Sequence, residues 1–231
     1  LTNIGFRILP IKRRVERSLV EQFRSVVTPH ISDNLNRIHA IGSNLRPYHK
    51  EGKLIGTAIT VKTRPGDNLL VHKAIDLAQP GDVIVVDAGG DTTNAIAGEI
   101  MMQLARKKGI AGFIIDGAIR DLAAFQNSDF PVYAKGVTHR GPYKDGPGEM
   151  NVAISVDGML VEPGDLIVGD EDGLAVVPYD FAEEILRKVR AQEIREREIL
   201  ESIENGTVDR KWVDETLKQR GCELNDLAQQ V

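Results

Sequence analysis

The sequence predicts an α/β domain, and three features carry that expectation. Two segments, "DVIVVDAGG" and "AGFIID", are unbroken apolar runs of the kind buried on both faces of a sheet, and a helical segment separates them. Several short strand-like runs follow residue 130, as in a second, more β-rich layer. A long charged helix then closes the ordered pattern, and no linker-like or low-complexity stretch divides the chain, so one domain is expected over 1–231.

In order along the chain, "RRVERSLVEQFRSV" places Val15, Leu19, Val20 and Phe23 at helical spacing. "SDNLNRI" reads as a further helix capped by Ser32 or Asp33. The basic opening "RILPIKRR" is short and holds a proline, which predicts a solvated arm. "LIGTAITVKT" is β-branched and partly alternating, hence a strand; "NLLVHKAIDLA" is an amphipathic helix stopped by Pro80 and Gly81. After the two buried strands come "FPVYAKG", "NVAISVDGMLVEPGDLIVGD" and "GLAVVP", and then the helix "YDFAEEILRKVRAQEIREREILESIENG". That helix has only a partial apolar stripe of Ile185, Val189, Ile194 and Ile199. Pro-Gly-Asp occurs three times, at 65–67, 80–82 and 163–165, and reads as a tight turn; the last two lead straight into strands.

A chain of 231 residues with 42% hydrophobic and 27% charged residues has the makeup of a soluble globular protein. Its net charge of -5, with no dense basic run, argues against a nucleic-acid binder held by phosphate contacts. No apolar stretch reaches membrane-spanning length and none resembles a secretory signal, so a cytoplasmic protein is expected. The single cysteine, Cys222, supports neither a disulfide framework nor a thiolate metal site.

Chemistry concentrates in "IAGFIIDGAIRD". A buried strand that ends at Asp116-Gly117 would set the following residues beyond its carboxyl end, where α/β sheets bind ligands. Arg120 offers a planar fork for a carboxylate and Asp121 a hard oxygen for a divalent cation. The alternative is that Asp121 caps "LAAFQ" while Arg120 pairs with Asp116. Gly98 raises a second question, because glycine inside a helix costs about 1 kcal/mol relative to alanine. Either the helix starts near Gly98, leaving the amides of Glu99, Ile100 and Met101 as an anion site, or Gly98 permits close packing with Ile96, Ile100 and Leu104 inward. Lys144, in the glycine- and proline-rich "GPYKDGPGE", is placed to bring a cation to a bound anion or is solvated. His139 has no metal-ligand spacing, and neither a phosphate-loop nor a hydrolase-elbow motif is present.

Together "GDVIVVDAGG", "AGEIMMQLARKKGIAGFIIDGAIRD" and "VEPGDLIVGDEDGLAVVP" resemble the family that contains 4-hydroxy-4-methyl-2-oxoglutarate aldolase and the regulator of ribonuclease E activity, over about residues 25–205. The resemblance implies a swivelling β/β/α domain with mixed sheets, flanking helices and a long C-terminal helix. Assembly as a homotrimer or homohexamer, with sites between subunits, is implied too. It also implies a divalent cation, Mg2+ or Mn2+, bound by Asp121, with Glu99 holding one of its waters; Glu stands here where Asp is common. Arg120 and the Gly98–Met101 turn, through the Ile100 and Met101 amides, would bind pyruvate, with Lys144 nearby. Glu196 of a neighbouring subunit, or Glu193 or Glu198, would reach the ion's water shell. The implied activity is metal-dependent retro-aldol cleavage of a 4-hydroxy-2-oxo acid, with oxaloacetate decarboxylation as a side activity. Two alternatives stay open: a non-catalytic regulator of a ribonuclease or helicase, and a phosphohistidine carrier resting on "VTHRG".

Overall fold

The computed structural model describes residues 3–223. It opens with β1 (Phe6–Ile8), α1 (Arg17–Gln22), α2 (Thr28–Asn34), β2 (Arg46–Pro47) and the ten-residue β3 (Leu54–Thr63). Then come α3 (Leu69–Leu77), β4 (Asp82–Asp87), β5 (Ala95–Ala97), α4 (Glu99–Lys108), β6 (Gly112–Ile119), α5 (Leu122–Gln126) and β7 (Val132–Val137). β8 (Gly148–Met150), β9 (Ile154–Val156), β10 (Met159–Val161), β11 (Leu166–Asp170), β12 (Gly173–Val177), α6 (Ala182–Glu204) and α7 (Lys211–Gln219) complete it.

The result is a mixed α/β fold. β3, β4, β6 and β7 run parallel as the centre of a ten-stranded sheet, with β1, β2, β5, β8, β11 and β12 around them. The length of β3 lets two strands share one edge: β11 pairs antiparallel with its first half and β8 with its last three residues. β9 and β10 form a separate hairpin, whereas the other short runs expected in a second β-rich layer join the large sheet as β7, β8, β11 and β12.

Apolar burial explains the layers. On one face α3 and α4 bury Leu70, Val71, Ala74, Met101, Met102 and Ala105 against Ile84, Val86 and Ile115. On the other face Ile154, Val156 and Val161 from the hairpin cover Val83, Val85 and Ile114. A third cluster joins Phe23, Val26 and Ile31 to β11, β12 and the first turns of α6. Each fully buried Val, Leu, Ile, Met or Phe side chain contributes about 1.5–3 kcal/mol.

Four expectations need correction. Ser32 and Asp33 lie inside α2 rather than capping it; its first residue, Thr28, is held by Asp170, whose carboxylate accepts from the Thr28 amide (2.8 Å) and hydroxyl (2.5 Å). The basic opening is not a free arm. Phe6–Ile8 adds a strand beside β8, Arg7 pairs with Glu149 at 2.6 Å, and Arg14 pairs with Asp82. β6 does not end at Asp116-Gly117 but continues to Ile119, shifting register against β7 between Ile115 and Ala118 and gaining β5 as a partner. Finally, Ile100 and Leu104 face solvent, at 71% and 49% exposure, and Met101, Met102 and Ala105 are the inward residues of α4.

Two compact units divide the chain, residues 1–189 and 190–231. The second contains the distal part of α6 and α7. Within it Arg190 pairs with Glu193 at 2.7 Å, Gln192 donates to Glu196 at 2.7 Å, and Ile194 and Ile199 are exposed. No helix among the described residues is long and apolar enough to cross a membrane.

Candidate active site

The question raised by Gly98 has a geometric answer. Gly98 is the N-cap of α4, which begins at Glu99, so the helix-start alternative holds. Its backbone, with φ -148°, is extended and open to any residue, so conformation does not demand glycine there. Space does. A Cβ on Gly98 would lie 2.5 Å from Asp121 Oδ2, 3.0 Å from Arg120 Cγ and 3.1 Å from Arg120 Nε. The missing side chain is the notch into which Arg120 and Asp121 fit.

Local pairing brings them there. β5 runs parallel to β6, and the Arg120 amide donates to the Ala97 carbonyl at 2.9 Å, which sets Arg120 beside Gly98. Asp121 then adopts a left-handed backbone (φ 58°, ψ 43°), a conformation that Asp tolerates better than most residues. It is the N-cap of α5 by position, but its side chain makes no capping bond to that helix. Asp121 Oδ2 instead accepts from the Glu99 amide at 2.9 Å, satisfying one of the donors that a helix start leaves open. Asp121 Oδ1 accepts no hydrogen bond from the described residues, and the Glu99 carboxylate makes no ion pair with them. Arg120 Nε stands 3.7 Å from Asp121 Oδ2.

The expected alternative pairing of Arg120 with Asp116 is not formed. Asp116 lies within β6, and Lys135 of β7 sits 2.8 Å from its Oδ1 and 3.1 Å from Asp157 Oδ1. Asp116 is therefore part of a separate, largely buried ion cluster. Burial pushes the Asp157 carboxyl up, but bonds from Asn44 and Lys135 outweigh it and hold the group below the usual range.

A cleft of about 110 Å³ opens beside the notch, lined by Gly98, Ile100, Met101, Arg120, Lys144 and the α3 side of Asn68 and His72. Lys144 thus joins Arg120, and the two cations face one cavity. Asn68 and His72 are additions that the sequence reading of α3 as a plain amphipathic helix missed; their four-residue spacing, off the apolar stripe, was the available signal. Asn68 is 2% exposed, donates to the Ile96 carbonyl at 2.8 Å, and leaves its buried Oδ1 without a partner among the described residues. Burial lowers the His72 pKa, the Lys144 charge lowers it further, and Asp76 opposes both. His139 is exposed and outside the cleft lining. Glu193, Glu196 and Glu198 belong to the second unit.

Comparison with known proteins identifies the family of the chain. The RraA-like family model (Aldolase/RraA) matches residues 28–176. "Putative 4-hydroxy-4-methyl-2-oxoglutarate aldolase" of Halalkalibacterium halodurans is 43% identical over 82% of this chain and 92% of its own length. The RNA-processing inhibitor RraA of Thermus thermophilis is 30% identical, with a TM-score of 0.63 over 67% of this chain and 93% of that one. RraAS2 of Streptomyces coelicolor, an unusual member of the RNase ES inhibitor RraA protein family, superposes with a TM-score of 0.73 at 28% identity, over 80% and 96%. A notch that seats an Arg-Asp pair on a helix start, within a mixed sheet flanked by helices, thus occurs here in a chain that belongs to the RraA-like family.

Proposed function

We propose that this chain is a lyase that cleaves a 4-hydroxy-2-oxo acid, such as 4-hydroxy-4-methyl-2-oxoglutarate, to pyruvate and an oxo compound with the aid of a divalent cation. The observation that carries the reading is the seating of Arg120 and Asp121 against the Gly98–Glu99 start of α4, at the edge of a cleft that also holds Lys144.

The donors fit a hard cation. Mg2+ keeps several waters and takes one or two carboxylates rather than a closed cage. Asp121 Oδ1 is open, and Glu99 is exposed one helix start away. Asp121 would hold Mg2+ or Mn2+ directly and Glu99 through water, with Glu196 of a neighbouring copy in a trimer or hexamer adding a second water contact. When bound, the ion supplies positive charge that draws electrons toward the 2-oxo group.

The chain's own groups do the rest. The Ile100 and Met101 amides, at a helix start, donate to the substrate carboxylate. Arg120 binds that carboxylate and faces the oxygen on which negative charge grows as the C3–C4 bond breaks. Glu99 holds the water that takes the 4-hydroxyl proton, and Lys144 adds positive charge at the cleft. Protonation of the enolate at C3 completes pyruvate, and no Schiff base is required. The same enolate chemistry predicts oxaloacetate decarboxylation.

Assay of purified protein for pyruvate release, with and without Mg2+, tests this. Activity abolished by EDTA and retained in borohydride is the expected result. Absence of metal-dependent release from 4-hydroxy-2-oxo acids, together with no oxaloacetate decarboxylation, would overturn it. The second reading, a regulator of a ribonuclease or helicase partner, would then stand, supported by the likeness to the Thermus RNA-processing inhibitor.

A further inference from the structure

The three Pro-Gly-Asp turns are alike in backbone and different in what their aspartates do. In each, glycine takes a positive φ (75° at Gly66, 89° at Gly81, 100° at Gly164), and the aspartate amide donates to the carbonyl three residues back. In two of them the carboxylate also closes its own turn. Asp82 Oδ2 accepts from the Gln79 amide at 2.7 Å and Asp165 Oδ2 from the Glu162 amide at 2.9 Å, each again three residues back. Asp67 breaks this pattern.

Asp67, with 0% exposure, accepts from no backbone amide of its own turn. Its Oδ1 accepts from the Leu69 amide, at the start of α3, at 3.0 Å. Its Oδ2 accepts from the Asp145 and Gly146 amides, at 2.8 and 2.9 Å, and from Arg64 Nη2 at 3.2 Å. Burial pushes this carboxyl up, but the three amides and Arg64 prevail and hold it below the usual carboxylate range. Two backbone bonds run alongside: the Tyr143 amide donates to the Gly66 carbonyl at 2.8 Å, and the Asn68 amide to the Tyr143 carbonyl at 3.0 Å. One buried carboxylate therefore clamps the loop that carries Lys144 to the helix start that carries Asn68 and His72, and both lie in the cleft lining.

We infer that Asp67 is a positioning residue that sets Lys144 over the cleft by holding the 143–146 loop against the start of α3. The inference rests on the proposed lyase reading for its functional consequence. Asp82 and Asp165 also reach outside their turns, to Arg14 and to the Tyr179 amide, yet each keeps one oxygen on its own turn's first amide; Asp67 accepts instead from amides of α3 and of the loop 78 and 79 residues along the chain. In Asp67→Asn the new amide nitrogen would face an N–H donor that the carboxylate now satisfies, so the loop loses part of its hold while side-chain volume is kept.

The test is a double-mutant cycle on the full chain with Mg2+, comparing wild type, Asp67→Asn, Lys144→Ala and the double variant by kcat and KM for pyruvate release. Hydrogen exchange at 143–146 is followed in parallel. Misplacement of a contributing group by about 1 Å can cost about 10²-fold, so a tenfold or greater fall in kcat/KM is expected for Asp67→Asn. In the Lys144→Ala background the same change should have less than about a twofold effect, because the group it positions is already gone. A merely structural role would lower both backgrounds equally, and such additivity would overturn the inference. Faster exchange at 145 and 146 in Asp67→Asn is expected, and unchanged exchange there would overturn the clamp by itself. A wild-type protein that releases no pyruvate with Mg2+ overturns the lyase reading instead, and the exchange result still decides whether Asp67 holds the loop.

Discussion

Gly98→Ala adds one methyl group to the candidate site without altering any charge. The added Cβ would stand 2.5 Å from Asp121 Oδ2 and 3.0 Å from Arg120 Cγ, so one or both side chains must move. Both are free to move, with about four-tenths of each side chain exposed, and the Asp121 carboxylate can swing into solvent at the loss of its bond to the Glu99 amide. That bond contributes about 1.5 kcal/mol, as hydrogen bonds to charged groups do. Alanine is also a poorer N-cap than glycine, by some tenths of a kcal/mol, while the stiffer unfolded chain returns about 0.4–1 kcal/mol. The net loss is about 1 kcal/mol, which for a chain of this size lowers Tm by about 2–4 °C. Catalysis should suffer far more, because the groups displaced are the proposed substrate clamp and the proposed cation ligand; loss of one such interaction costs about 10²–10³ in rate. Thermal unfolding and a coupled pyruvate assay on the same preparation measure both quantities. Turnover within threefold of wild type would refute the notch as the reason for glycine. A Tm fall beyond about 8 °C would instead mean that the methyl group disturbs the packing of α4.

Arg120→Ala should lower kcat by about 10²–10³ with little change in Tm, since the side chain is half-exposed and its ion pair with Asp121 is long, at 3.7 Å. Lys144→Ala should raise the His72 pKa, because a positive neighbour that disfavours imidazolium is removed; an NMR titration of the ring protons reads the shift, and no upward movement would contradict the shared cleft. Lys135→Met strands Asp116 and Asp157 in a largely buried pocket and should destabilise the fold by about 3 kcal/mol in urea unfolding near pH 7. The Asp67 and Asp157 carboxyls have folded pKa values below their unfolded value of about 3.9. Their stabilisation is therefore fully present above that value and is lost as pH falls through the folded pKa. Denaturation curves between pH 6 and pH 2 should show the loss, and Asp67→Asn should flatten it.

The parts of the fold that were legible in sequence are those whose burial is written in consecutive residues. β4 and β6 are apolar runs covered on both faces, and α3 carries its period along its own length; α4 was legible as a helix but its inward face was not. What was misread depends on partners distant in the chain. Ser32 and Asp33 are chemically good caps, but the start of α2 is held by Asp170, 142 residues away. Asp116-Gly117 looked like a strand end because glycine ends strands locally; β5 and a register shift carry β6 on to Ile119. The three-residue β1 has too little pattern to be seen without β8. At the candidate site, the pair Arg120-Asp121 and the glycine before Glu99 were visible as residue types. Their mutual contact was not, nor were the diversion of Asp116 to Lys135, the clamp at Asp67, or the cleft-lining places of Asn68 and His72. All of these are set by how strands register.

The left-handed backbone at Asp121 separates what that residue does for folding from what it does at the site. Holding an L-residue there costs about 1–2 kcal/mol. Glycine would remove that strain while losing one bond to the Glu99 amide, so the exchange would be close to neutral for stability. Folding alone therefore gives little reason to retain a carboxylate at 121. Asp121→Gly should therefore fold about as well as the wild type, which isolates what the carboxylate does at the candidate site.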